Sequence, residues 1–321
     1  MRLRIASLFV LGVGLVGCEP GGAGSDAIKD MDRAALASEA EVRTFAEFNP
    51  IYVYYLTQAM SHGSLGELAP GSEEGRADCP RIVEEGSVRR IVGNCTDDEG
   101  TRYVGEVEFA ADEAGAPYGT LTFKGFGTEY SFSCGEGETA TEVTTSSRFD
   151  GRAVVRGDAS ASELDFNFAV TGNEVDDDTC ESTQEALAFV FKGRIDGAAP
   201  TFPSEGEAAL TLEPTTWSGK GQIGASPYGY VDYELIDEVV DFEVCNEGAA
   251  SGTSRLTGEK EVEITFRGAE TCGASATWTL DGVAQGELEG VHCSAVGGGA
   301  LPAFGLLALG GLMLRRRRTV G

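Results

Sequence analysis

Histidine, basic side chains and closely spaced cysteine pairs are what this chain has least of. Its 321 residues include two histidines, His62 and His292. A Ser-His-Asp triad would have to use His62, and no GxSxG elbow accompanies it. His62 therefore reads as a loop histidine. No CxxC pair occurs, so neither zinc nor thioredoxin-type redox chemistry has its usual spacing. A GxGxxG turn opening a βαβ unit and a phosphate-binding P-loop are also absent. Carboxylates are so numerous that a hydrolytic pair cannot be singled out by position. No catalytic residue is assigned, and the chain does not read as an enzyme.

Positive charge is scarce and misplaced. The formal net charge is −28, and all 52 acidic residues lie between Cys18 and Cys293. Arg2, Arg4 and Arg315 to Arg318 are six of the 24 basic residues, so the body carries −34. Such a surface repels phosphate backbones and anionic lipid headgroups. Nucleic acid is excluded as a partner, because its binding needs a basic footprint.

What the chain does have begins at its ends. MRLR precedes the apolar run IASLFVLGVGLVG, which Cys18 closes. A basic start and about a dozen apolar residues make a secretory signal over residues 1–17. Leu15-Val16-Gly17-Cys18 resembles the bacterial lipobox. The resemblance implies cleavage before Cys18, acylation of its thiol and membrane attachment through that lipid. Glu19 follows where inner-membrane retention would favour Asp, which implies export to the outer membrane. An ordinary secreted protein with a cysteine at this position is the alternative.

At the other end Cys293, Gly297, Gly298 and Gly299 precede a 15-residue apolar run, Ala300 to Leu314, and then Arg315, Arg316, Arg317 and Arg318. As a helix the run would be about 22 Å long, against roughly 30 Å of hydrocarbon. Pro302, Gly305, Gly310 and Gly311 interrupt it. The order of parts is similar to bacterial C-terminal sorting tails, and Cys293 makes it most like the myxobacterial type. The glycine-glycine type, cut by a rhomboid-type protease, is the near alternative; a plain transmembrane helix is the third. Export and sorting machinery are the partners implied. The arginines stay cytoplasmic, which leaves the body outside.

Between the ends, residues 18–25 read as a polar tether and residues 26–62 as a helical segment, rich in Ala, Glu and Arg over 26–46. IYVYYLTQAMSH (51–62) follows Asn49-Pro50 as a second helix, although it also alternates like a strand. From residue 79 to 292 period-2 patterning dominates. Leu164, Phe166, Phe168 and Val170 share one face, as do Leu187, Phe189, Phe191 and Ile195, and Val262, Ile264 and Phe266. Frequent turn signals predict a mainly β fold, a curved antiparallel meander or barrel-like sheet behind an N-terminal helical segment. A half boundary is possible near 196–206, but one continuous sheet is the preferred reading.

An aromatic-x-Gly triplet recurs at 103–105, 123–125, 149–151, 191–193, 217–219 and 266–268. Strand geometry places each ring and its glycine on one face, where the ring can cover bare backbone and the glycine lets the sheet bend. Inward rings read as core, with a carbohydrate-binding row as the minor alternative.

Six cysteines remain, Cys79, Cys95, Cys134, Cys180, Cys245 and Cys272, which implies three disulfides in an exported chain. Neighbours in a meander are adjacent in sequence, so sequential pairing is expected: 79–95, 134–180 and 245–272. Asp97 and Asp98, and Asp176, Asp177 and Asp178, form acidic turns with the oxygen ligands calcium takes. Neither turn follows an EF-hand or nonapeptide spacing. Solvated turns are the preferred reading, and no cofactor or metal is assigned.

The segments around the bridges, CTDDEGTRYVGEVEF (95–109) and CGASATWTLDGVAQGEL (272–288), resemble secreted proteins of myxobacteria, a resemblance that implies no activity. The expectation is a lipoprotein of the outer membrane or cell surface, structural or binding in role, with its protein or glycan partner unspecified. The alternatives are a secreted hydrolase using carboxylates and a lipid-carrying barrel.

Overall fold

The computed structural model describes residues 23–46, 53–54, 57, 79–97, 100–112, 118–135, 140–158, 160–175, 179–197, 213–241, 244, 249–268 and 275–292. Among the described residues the helices α1 (Ala23–Lys29) and α2 (Glu39–Ala46) precede fourteen strands. These are β1 (Arg81–Glu85), β2 (Val88–Val92), β3 (Cys95–Thr96), β4 (Arg102–Ala111), β5 (Gly119–Cys134), β6 (Thr141–Asp158) and β7 (Ala161–Val175). There follow β8 (Ser182–Asp196), β9 (Thr215–Ala225), β10 (Gly229–Val240), β11 (Ser251–Thr257), β12 (Glu261–Phe266), β13 (Ser275–Leu280) and β14 (Val283–His292).

All fourteen strands join one sheet in sequence order, with the short β3 pairing only β4. Every pairing is antiparallel, so the expected meander is present. β8 pairs β9 directly across the suspected half boundary, which makes the sheet continuous. The path runs from β1 to β14 without joining them, so the sheet is open rather than a closed barrel.

The sheet curls strongly. α2 has eight residues and is about 12 Å long. It nevertheless contacts both β9 and β14, which in a flat sheet would be about 24 Å apart. Ring distances agree. Phe123 of β5 and Phe168 of β7 lie two strands apart, yet their centroids are 6.2 Å apart. Gly151 of β6 pairs with both residues and leaves the gap the two rings close over. Phe191 and Tyr233 approach to 6.4 Å across Gly221 in the same manner.

The recurring triplet proves to have two uses. At 191–193 the Phe191 ring covers its own strand's glycine: a Cβ on Gly193 would meet the ring at 2.4 Å, and one on Gly219 would meet it at 2.5 Å. At 103–105 and 123–125 the glycine instead takes a left-handed backbone, with φ near +65° at Gly105 and +60° at Gly125. Gly125 is the residue passed over at the register shift of the β5–β6 pairing. There it forms a bulge that bends the strand.

The single helix expected over 26–46 is not formed. α1 starts within the expected tether, and residues between the helices run extended: Ala34 N–H donates to Tyr230 C=O, and Tyr230 N–H donates to Asp32 C=O. Main-chain pairing with the start of β10 wins over helix propensity because Arg33 fixes it further. Its guanidinium donates to Gly258 C=O (2.8 Å) and Thr257 C=O (3.0 Å), pairs with Asp232 and lies over the Tyr230 ring.

This crossing carries the chain from one face of the sheet to the other. α1 lies on the outer face: Ser25 N–H donates to Asn167 Oδ1 (3.0 Å), and Asn167 alternates with the buried Phe166 and Phe168. α2 lies on the core face, where Leu36, Val42 and Phe45 join the strand residues in one apolar cluster. Ser38 caps α2, since Glu41 N–H donates to Ser38 Oγ, and the Glu41 carboxylate reaches past the cap to accept from the amides of Leu36 and Ala37. Val53, Tyr54 and Thr57 are helical and continue the cover.

Candidate functional site at a buried carboxyl

β10 begins with strict alternation, Val231, Tyr233 and Leu235 facing the core. The register then shifts in its pairings with β9 and β11, between Leu235 and Glu238 and between Ile236 and Val239. Asp237, with φ of 46°, takes the extra position. Ser218 Oγ donates to its carboxylate (2.9 Å) and accepts from its amide (3.2 Å) on the outer side. Opposite it Gly252 has φ of 106°, and a Cβ there would stand 2.5 Å from Asp237 O and Glu238 Cα. The bulge turns Glu238 inward, where it is 5% exposed, and Val240 beside it is also buried.

Ser254 Oγ donates a short hydrogen bond to Glu238 Oε1. Burial pushes the Glu238 pKa from the ordinary carboxyl range up to about 7, and the Ser254 hydrogen bond opposes that rise. Tyr233 is buried as well. Burial first, and then the Glu238 charge, hold its phenol well above the usual value, and its hydrogen bond with Ser254 opposes that rise. Glu238 is the cross-strand partner of Trp217. The Trp217 indole N–H donates to Thr215 Oγ1 (2.9 Å), and the Tyr54 ring meets Trp217 edge-on at 5.5 Å and 89°. A proton-holding carboxyl thus sits one strand from the ring that supports the helical cover.

Two of the three expected disulfides are formed as paired. Cys79–Cys95 and Cys134–Cys180 have Cα separations of 5.7 and 5.8 Å. Cys245 and Cys272 lie outside the described residues, as do Cys18, Cys293, Gly297, Gly298, Gly299, Arg315, Arg316, Arg317 and Arg318. Of the calcium candidates only Asp97 is described. Its carboxylate accepts from Thr101 N–H (2.9 Å) and closes a turn. Asp98, Asp176, Asp177 and Asp178 lie outside the described residues. Among the described residues no group of three or more His, Cys, Asp or Glu is placed to hold a metal ion. No described helix is long and apolar enough to cross a membrane.

The sequence reading missed Glu238. Its signal was the phase slip in YVDYELIDEVV, where core positions move from odd to even numbers between Leu235 and Val240. Comparison with family models, curated proteins and solved structures gives no match for this chain.

Proposed function

We propose that this protein is an envelope or cell-surface lipoprotein, held to the outer membrane by lipid on Cys18, with a structural or binding rather than catalytic role. The observation that carries this reading is the pair of disulfides, Cys79–Cys95 and Cys134–Cys180, because such bridges persist in oxidising compartments outside the cytoplasm. The LVGC motif and the strongly acidic body fit the same location. Against catalysis stands the filling of the core face by rings, glycine and the protein's own α2. Of the two described carboxylates buried to this degree, Glu41 caps α2 and Glu238 stands with Ser254. The same filling argues against a lipid-carrying interior in this conformation.

Intact-mass and terminal analysis of protein recovered from its native membrane tests the assignment. An acylated Cys18 as first residue and a shortened C-terminus are expected. An unmodified Cys18 with residues 293–321 retained would overturn both the anchor and the sorting assignment.

A further inference from the structure

We infer that Glu238 is a proton-controlled latch for the helical cover of the core face. Its geometry sets the device. A bulge delivers one carboxyl into the apolar interior, with Ser254 as its hydrogen-bond donor. The carboxyl stands cross-strand from Trp217, against which Tyr54 of the cover packs, and α2 contacts the same strand, β9. An ionised carboxyl here weakens the seat of Tyr54 and α2. A neutral one keeps it dry.

No described cation compensates the charge. On β10 the facing titratable group is Tyr233, while Asp237 is turned outward to Ser218. On β9 the core-facing residues flanking the site are Trp217 and Gly219, and Lys220 belongs to the alternate face. On β11 Ser254 faces Glu238, whereas Arg255 is engaged with Glu234, Glu261 and Glu263. From the cover come Tyr54, Glu41, which is bonded to the Leu36 and Ala37 amides, and Arg43, which pairs with Glu39 at 3.8 Å.

The sign follows from linkage. In the closed state Glu238 holds its proton to about pH 7, whereas a hydrated glutamate releases it near 4.3. Between those values the closed state binds more protons, so its stability relative to the open state falls as pH rises and levels off above about 7. The cover is therefore tightest in mild acid and loosest in mild alkali. Full hydration of the carboxyl on opening would raise the opening constant by about seventy-fold between pH 5 and pH 8.

Hydrogen exchange of the full chain at pH 5 to 8, comparing wild type with Glu238→Gln at each pH, is the test. The comparison cancels the pH dependence of chemical exchange itself. Protection of Glu39–Ala46 and of Val53 and Tyr54 in wild type should fall relative to Glu238→Gln by tenfold or more across that range, while Phe166 to Phe191 keep theirs. A wild-type-to-variant ratio that does not change with pH overturns the latch. So does parallel loss in β7 and β8, because the cover would then not open separately. Ser254→Ala provides the second arm should Glu238→Gln fail to fold. It removes the donor that stabilises the ionised form, so the midpoint of the wild-type transition should move to higher pH. An unmoved midpoint also overturns the proposal.

Discussion

Strands β5 to β8 are stabilised in two different ways along their own length. In one half Phe123, Phe149, Phe166, Phe168, Phe189 and Phe191 face the core, each no more than 4% exposed. Beyond Thr128 on β5, and beyond Val170 on β7 two strands away, the same strands continue with little apolar cover. Tyr130 there is 45% exposed. The outer side carries a short polar ladder: Ser131 with Thr144 (2.7 Å), Ser146 donating to Asn173 (2.6 Å), and Asn173 donating to Thr144 C=O and Ser182 Oγ. Cys134–Cys180 then ties β5 to the β7–β8 turn across that end. Where a strand has a packed face, ring burial holds it. Where it has none, main-chain pairing, short polar contacts and a covalent tie take over.

The largest expected effect tests the packed half. Phe189 is fully buried, with ring centroids of Phe168 and Phe191 at 5.5 and 5.7 Å and of Phe166 at 6.5 Å. Phe189→Ala should cost about 3–5 kcal/mol, the usual loss for a buried ring plus the cavity it leaves. Denaturant unfolding at pH 6 measures it. A loss under about 1 kcal/mol would mean that the rings are not closely packed, and the contrast between the halves would disappear.

Next comes the covalent tie. Replacing Cys134 and Cys180 together by serine should cost about 2–4 kcal/mol, since it frees a loop with a sequence separation of 46 residues in the unfolded chain. The comparison predicts where the damage falls. Hydrogen exchange should rise most in residues 129–134, 141–147, 171–175 and 182–186, and least around Phe166 and Phe191. Equal loosening throughout would show that the bridge acts only on the unfolded chain.

The sequence disclosed much of this division. Alternation in SELDFNFAV and ALAFVFKGRI named the core residues of β7 and β8, and the first two cysteine pairs followed from meander adjacency. Three features escaped for physical reasons. The break between α1 and α2 depends on Arg33 meeting Tyr230 and Gly258, some 200 residues away, which no local propensity records. Gly125 entered a bulge because a register shift, invisible in the triplet itself, changes which face a residue takes. Glu238 looked like one of many surface acids, and only the odd-to-even slip between Leu235 and Val240 marked its inward turn.

The smallest effect is the sharpest check on the exposed half. Tyr130 stacks on Phe132 at 6.1 Å and 16°, two residues along the same strand. The hydrogen bond recorded at Tyr130 is accepted by its main-chain carbonyl, from Thr145 Oγ1 at 3.4 Å, and alanine would keep that acceptor. Tyr130→Ala therefore removes a half-exposed ring and no polar contact, and should change stability by no more than about 0.5 kcal/mol. Thermal or denaturant unfolding of the full chain measures it beside Phe189→Ala under identical conditions. A loss above about 2 kcal/mol would require Tyr130 to be buried in solution. The far end of β5 and β6 would then be a packed surface like the near end, and the disulfide would be reinforcing a core rather than replacing one.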